Sequence, residues 1–301
     1  MSNALSKDSL NTQSGQPLRE MLLVIRREIL TRVTNRTILI TTLLLAIGVG
    51  VAAGFGATLL GNSMQGSEPA NLNPKLIFAT AMICALLASL VYSAQSLTTG
   101  VVEEKSSRIV EILLTKIGIR PLLAGKIIGI GLVSLAQLLL IGGAAVAGFA
   151  IKDGFSFLQV EPGPALIWFI VWYLLGYSVF ALLNTALAAT VARQEDLASA
   201  VMPLSVLQMV LLVVSLYMAP THLESTWLKV LSFVPLFSSY LMPIRFGLES
   251  VEMWQMATAA AIALVAIPVL FNIVAKLYTN NALRTGSRIS LRASLRSAND
   301  I

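Results

Sequence analysis

Six apolar stretches, each long enough to cross a membrane as a helix, limit what this chain can fold into. They lie at about 37–61, 76–100, 122–150, 165–191, 199–219 and 256–277, and almost no charge falls inside them. A helix that crosses about 30 Å of hydrocarbon needs roughly 20 mostly apolar residues, because every backbone N–H and C=O must find its partner within the segment. With 56% hydrophobic residues, 12% charged residues and a mean hydropathy of +0.80, the chain is far from a soluble domain, where about a quarter of residues are charged. The expected fold class is an all-α membrane protein with six transmembrane helices.

The first apolar run starts past residue 30 and has no short hydrophobic core followed by a small-residue cleavage pattern. The first span is therefore expected to stay in the mature protein. Residues 1–17 are polar and end at Pro17, which reads as a disordered tail, and the folded six-span region is expected over 18–280. Residues 281–301 form a basic tail.

Counting Lys and Arg by side sets the orientation, since positive loops are retained in the cytoplasm. With the N-terminus inside, seventeen of the 21 lie in inner segments and only Lys75, Lys152, Lys229 and Arg245 lie outside. Both termini and the charged island 101–121 are thus expected in the cytoplasm. A pI near 9.6 does not point to nucleic acid, because the positive charge is spread over short membrane-flanking segments that suit anionic lipid. Leu18, Leu22, Ile25, Ile29 and Val33 recur at helical spacing with Arg19, Arg26, Arg27 and Arg32 on other faces, the pattern of an interfacial amphipathic helix over 18–35. Arg284, Arg288, Arg292 and Arg296 repeat every four residues and form either one basic helical stripe or a disordered basic tail.

Nothing in the chain announces chemistry of its own. One Cys, Cys84, and one His, His222, cannot build a disulfide or a His/Cys metal site within one chain. Gly125-Lys126 is followed by Ile127 and lacks the upstream Gly of a phosphate loop. Gly176-Tyr177-Ser178-Val179 meets Phe180 where a nucleophile elbow needs Gly. Glu103-Glu104 and Glu195-Asp196 are adjacent pairs, which point apart on a helix. The expectation is a non-catalytic protein with no cofactor of its own.

The polar residues expected within spans are neutral: Thr41, Thr42, Ser89, Tyr92, Ser93, Gln95, Gln137, Asn184, Thr185 and Gln208. They either line a path through the membrane, for which Tyr92, Gln95 and Gln208 are the candidates, or pair helices by interhelical hydrogen bonds. Gly50-x-x-x-Gly54 and Gly125-x-x-x-Gly129 carry the spacing of close helix contacts. A helix from Val102 would set Glu104 and Arg108 at i and i+4 and Arg108 and Glu111 at i and i+3, with Ile109, Ile112, Leu113 and Lys116 on a second face, before Gly118 and Pro121 turn the chain. On physics alone this island is either a docking helix or a solvated loop.

The segments GVVEEKSSRIVEILLT, LLAGKIIGI and RREILTRVTNRTILITTLLL resemble the type-2 ABC transporter permeases, particularly the NatB-like branch associated with sodium extrusion. That resemblance implies a permease of the inner membrane that pairs with a second copy or a paralogue and works with a separate ABC ATPase, which would hold the ATP and Mg. It implies an elbow helix at 18–35 and a coupling helix at Val102–Thr115, with Glu103, Glu104, Lys105, Arg108 and Glu111 as ATPase contacts. It also implies re-entrant helices within 220–252, with Pro235, Phe237 and Pro243 at an outer gate; a surface-lying loop is the other reading of that segment. The branch commonly carries a large extracellular insertion between its first two spans, whereas only Asn62 to Lys75 fill that gap here. Sodium is therefore doubtful as cargo, and drugs, lipids, peptides and other ions stay open. An ATP-independent secondary transporter or channel is the alternative, with Pro203 and Pro268 its only hints; an intramembrane enzyme lacks the clustered His or carboxylates it would need.

Overall fold

A computed structural model describes residues 2–65, 74–106, 117–154, 162–191 and 193–282. Their regular structure is entirely helical. Helix α1 (Ser2–Val33) turns at Asn35 into α2 (Arg36–Gln65), followed by α3 (Pro74–Ser106), α4 (Ile119–Ile151) and α5 (Pro162–Ala189). A single 3₁₀ turn (Gln194–Asp196) leads into α6 (Leu197–Val213), which continues through a π-helical turn (Val214–Met218) to Thr221. Two short helices, α7 (Thr226–Leu231) and α8 (Pro235–Gly247), precede α9 (Met253–Ala282). Six helical stretches are long and apolar enough to cross a membrane: Arg36–Leu59, Leu76–Lys105, Ile119–Ile151, Leu166–Ala189, Gln194–Thr221 and Met253–Thr279.

The α1–α2 corner is made by Asn35, whose Oδ1 accepts the backbone N–H of Thr37 at 3.0 Å and of Ile38 at 3.4 Å. This caps α2, satisfying donors that a helix start otherwise leaves unpaired. Residues 2–17, which composition reads as a disordered tail, form one helix with the rest of α1, with Pro17 inside it. Extending a helix that is already nucleated is cheap compared with starting one.

Helix α5 is the hub. Of the residues in its most apolar stretch 56% are buried within the protein, against 11% in α2. Trp172, Tyr173 and Phe180 are fully enclosed, and α5 packs on α3, α8 and α9. Helix α2 lies at the periphery, held by α4, and shows Leu39, Leu43, Leu44, Ile47, Val51 and Phe55 outward. A continuous apolar surface of that size is intolerable in water and ordinary in lipid.

Glycines set the closest approaches. A Cβ on Gly148 would stand 2.0 Å from the carbonyl oxygen of Gly50, and one on Gly54 would stand 3.0 Å from that of Gly148. Small residues let the two backbones meet where no hydrophobic effect drives association. Gly148→Leu is accordingly expected to pry α2 from α4 and cost about 1–3 kcal/mol. Gly56→Ala, where nothing lies within 4 Å, is expected to be neutral. Thermal unfolding of the detergent-purified variants reads both, and equal melting points would refute the assigned contact.

Gly125 and Gly129 seat α1 on α4: a Cβ on Gly125 would lie 2.7 Å from Val24 Cβ, and one on Gly129 would lie 2.9 Å from Glu28 Cβ. The face of α1 turned to the protein is therefore Val24 and Glu28, flanked by Ile25. Leu18, Leu22 and Val33 point away and are exposed, because the two glycines, rather than the apolar periodicity, select which side of α1 docks.

The second span extends beyond residue 100. Val101 and Val102 are buried and no helix breaker follows, so α3 carries Glu103, Glu104 and Lys105 on its own last turn. Arg108 and Glu111, with the rest of the expected coupling helix at 107–115, lie outside the described residues, as does the basic tail from 283. Within the segment 220–252, α8 is folded into the bundle and buried from Ser238 to Arg245, whereas Trp227, Val230 and Val234 are exposed.

Candidate functional site

Three adjoining cavities run along α3 and share residues from one to the next. The innermost, about 500 Å³, opens between α3, α5 and α6 and is lined by Gln95, Thr98, Thr99, Asn184, Gln194, Ser205 and Gln208, interspersed with apolar Val91, Ala94, Leu197, Val201 and Met202. Gln95 and Thr99 also line a second space of about 360 Å³ that includes Tyr92, Ser96, Arg32 and Glu103. Arg32, Gly100 and Glu103 pass this space on to a third, about 530 Å³, walled by Arg27, Glu28, Glu104 and Lys126. A line of spaces with polar residues in every wall thus links the helix bundle to the base of the charged island.

Its inner end is mostly apolar but holds three buried polar side chains. Thr98, Asn184 and Gln208 are only 2%, 5% and 3% exposed, yet all three line the cavity. Thr98 and Asn184 are stabilised locally: the Thr98 hydroxyl donates to Ala94 O at 3.0 Å and Asn184 Nδ2 donates to Phe180 O at 2.8 Å. Such i to i−4 bonds let polar side chains stay inside an apolar helix. Gln208 Nε2 reaches the Tyr240 hydroxyl at 3.4 Å, tying α6 to α8.

The charged end is a buried network centred on Glu104. Its Oε1 accepts Arg27 Nη2 at 2.5 Å and its Oε2 accepts Lys126 Nζ at 2.5 Å. Lys126 also donates to Gly100 O at 2.8 Å, and its side chain is 5% exposed. One carboxylate therefore joins α1, α3 and α4. Beside it, Arg32 donates to Ser96 Oγ and, at 3.2 Å, to Ser96 O, while its Nε lies 3.7 Å from Glu28 Oε2. Lys105 Nζ donates to Ala189 O at 2.9 Å, and Gln194 Nε2 donates to Glu103 Oε1 at 3.1 Å, so the end of α3 is fastened to the end of α5 and the start of α6.

Of the residues expected to contact an ATPase, Glu103 is exposed, Lys105 is half-buried, and Glu104 is turned inward into the network. Tyr92, Gln95 and Gln208, the candidates for a path, all line the two inner cavities, with Gln95 shared between them. Pro235, Phe237 and Pro243 line none of the three cavities; Pro235 starts α8 and Pro243 is buried within it. Arg27, Arg32 and Lys126 are functional candidates the sequence reading left among topology-setting charges. Apart from Glu28, one turn before Arg32 on the same helix, the partners that tie them to other helices lie 22 to 77 residues away, beyond any helical periodicity. Among the described residues no group of three or more His, Cys, Asp and Glu is placed to hold a metal ion.

Comparison with known proteins agrees with this architecture. The chain is 28% identical over 223 residues to the uncharacterized protein YhaP of Bacillus subtilis (strain 168), covering 70% of this chain and 52% of that relative. It is 24% identical over 213 residues to the uncharacterized protein MJ1024 of Methanocaldococcus jannaschii, covering 67% of this chain and 50% of that relative. The chain thus spans about half the length of these curated relatives. No solved structure matches it. The match that decides is to the family described as ABC-2 family transporter protein: it runs over residues 57–276, taking in all three walls of the inner cavity, the Glu104–Lys126 pair and the buried helix α8, and places this chain in that family as a membrane component of an ABC transporter.

Proposed function

We propose that the chain is the permease subunit of an ATP-driven ABC exporter, working as a pair around a shared path and driven by a separate ATPase subunit that holds the ATP and Mg²⁺. The observation that carries this reading is the line of cavities from Gln208 to Glu104: a route along α3, with polar side chains in each of its walls, that ends at the charged island. Both termini lie in the cytoplasm, which the distribution of Lys and Arg supports. The ATPase docks on residues 102–115 through Glu103, Lys105, Arg108 and Glu111, while Glu104 holds α3 to α1 and α4 from within. A push on the island then reaches three helices at once, and closure of the ATPase pair switches the access of the path by favouring one of two arrangements. The exposed leucines of α1, with Arg19 and Arg26 beside them, suit an elbow helix lying on anionic lipid. The island and the N-terminal segment support a place near the NatB-like branch, with the short outer connection at 62–75 as a departure from it.

Charge reversal at Arg108 and Glu111 is expected to abolish co-purification of an ATPase co-expressed from a neighbouring reading frame, and with it ATP-dependent transport in proteoliposomes. Undiminished recruitment in the reversed variant would refute the docking site. Transport by the chain without any ATPase would refute the ATP-driven reading in favour of a channel or secondary transporter.

A further inference from the structure

We infer that the groove where α1, α2 and α4 meet holds one anionic phospholipid, an acyl chain along its apolar wall and the phosphate at its arginine-bearing edge. The inference rests on reading α1 as an elbow helix at the membrane surface. The groove has a volume of about 260 Å³ and is walled chiefly by Ile29 and Val33 of α1, Ile38 and Leu39 of α2, and Leu132 and Leu140 of α4. Its polar members are already engaged. Gln137 Nε2 donates to Thr42 Oγ1 at 2.8 Å, the Thr42 hydroxyl donates to Ile38 O at 2.7 Å, and Arg32 turns its terminal nitrogens to Ser96 of α3. Gln137 keeps one N–H and its carbonyl oxygen, one donor against one acceptor, and so favours neither sign of charge. What remains is an apolar trough open to the surrounding lipid, with Val33, Leu39, Leu132 and Leu140 about half exposed. Acyl chains surround the whole span, so this wall decides only the kind of molecule that fits. Preference for one lipid over another has to come from the headgroup.

The edge supplies that preference. Arg26 stands three and seven residues before Ile29 and Val33 on one face of α1, and Arg36 stands three residues before Leu39 on α2. Both arginines are exposed, and neither has an acidic partner among the described residues. The carboxylates of the neighbouring elements are turned elsewhere. Glu28 lies 3.7 Å from Arg32, Glu104 holds Arg27 and Lys126, Glu103 accepts from Gln194, and Glu20 accepts the backbone N–H of Gly118 at 3.2 Å. No Asp or Glu lines the groove itself. The start of α2 adds little, since Asn35 already takes the N–H groups of Thr37 and Ile38. Two uncompensated guanidiniums beside an apolar trough suit an anion that carries its own apolar tail, and the guanidinium fork matches phosphate oxygens. A free inorganic anion meets the charges without filling the trough. A zwitterionic lipid fills the trough but brings a second cation toward the arginines.

The test is native mass spectrometry of the purified full chain, released from detergent holding equal amounts of phosphatidylglycerol and phosphatidylcholine with the same acyl chains. One phosphatidylglycerol is expected to stay bound in about 25-fold preference, roughly fivefold for each arginine beside the anionic headgroup. Arg26→Gln combined with Arg36→Gln is expected to erase that preference. Lys276→Gln, which removes an exposed cation from α9, a helix packed on α5 and α8, is expected to leave it unchanged. Ala136→Trp, at an exposed position in the groove wall, is expected to shed the bound lipid. Equal retention of the two lipids would overturn the inference, as would a preference that survives the double arginine variant or falls as far in Lys276→Gln. Displacement of phosphatidylglycerol by an equal amount of inorganic phosphate would assign the edge to a free anion. Loss of a dimer in Ala136→Trp, with the lipid retained, would assign the groove to a second copy of the chain. The reading of α1 is tested separately by Leu22→Trp, at an exposed position of α1, in vesicles of brominated phosphatidylcholine. Quenching of that tryptophan without any phosphatidylglycerol preference would refute the site and leave the elbow helix standing, whereas no quenching would refute the elbow reading itself.

Discussion

Glu104→Ala lowers the stability of the folded chain by about 3–5 kcal/mol, the usual cost of removing one partner from a buried ion pair. The loss falls on Lys126. Its side chain is 5% exposed and would keep only Gly100 O at 2.8 Å for an ammonium that now has a neutral acceptor and no counter-charge. Arg27 loses less, since its side chain is 44% exposed and can turn to water, where ion pairs are worth little. The asymmetry yields a second expectation. Glu104→Leu combined with Lys126→Met removes both charges and recovers most of the stability, because a buried pair exchanged for apolar side chains of similar size is often neutral. Denaturant unfolding of the wild type, Glu104→Leu, Lys126→Met and the double variant closes a double-mutant cycle, and a large coupling is expected because the double variant recovers most of what either single one loses. Simple additivity of the two single substitutions would show that Glu104 and Lys126 do not act as a pair.

The same pair shows why part of this protein is legible in its sequence and part is not. A membrane span is a local property of about twenty consecutive residues, so the six spans can be read from apolar run length alone. Their ends depend on partners. Glu104 looks like the second charge of a loop; it is held inside by Lys126, 22 residues on, and Arg27, 77 residues back. Glycine spacing announces that Gly125 and Gly129 meet another helix but not that the helix is α1, nor that it docks by Val24 and Glu28 instead of by its leucine stripe. Gln95 and Gln208 stand out as amides in apolar spans. Only the crossing of α3, α5 and α6 gathers them with Thr98 and Asn184 around one cavity.

Arg245→Ala is the other large effect, about 2–4 kcal/mol, from buried acceptors left without donors and from the space the side chain vacates. Arg245 is fully enclosed, and burial lowers its pKa from the ordinary value, opposed by the charge of Glu224. An arginine still keeps its proton under such conditions, so the site holds a buried charge with no carboxylate paired to it among the described residues. Its planar fork compensates with three acceptors from three places: Ser232 Oγ at 2.7 Å beyond α7, Ser250 O at 3.2 Å in the turn after α8, and Gln255 Oε1 at 3.1 Å in the first turn of α9. The turn closes back on the same residue. Ser250 N–H donates to Arg245 O at 2.9 Å, and Glu249 takes a left-handed φ of 55° to allow it. Arg245 therefore staples the segment between α6 and α9. Lysine keeps the charge but concentrates it at one nitrogen, which cannot span the three acceptors as the fork does, so Arg245→Lys recovers only part of the loss. Ser232→Ala, which removes a single acceptor, costs about 1 kcal/mol. Denaturant unfolding ranks the three, and hydrogen exchange across residues 245–255 should quicken most in Arg245→Ala. Wild-type exchange in that variant would mean that α8 is held by its apolar packing and not by the guanidinium.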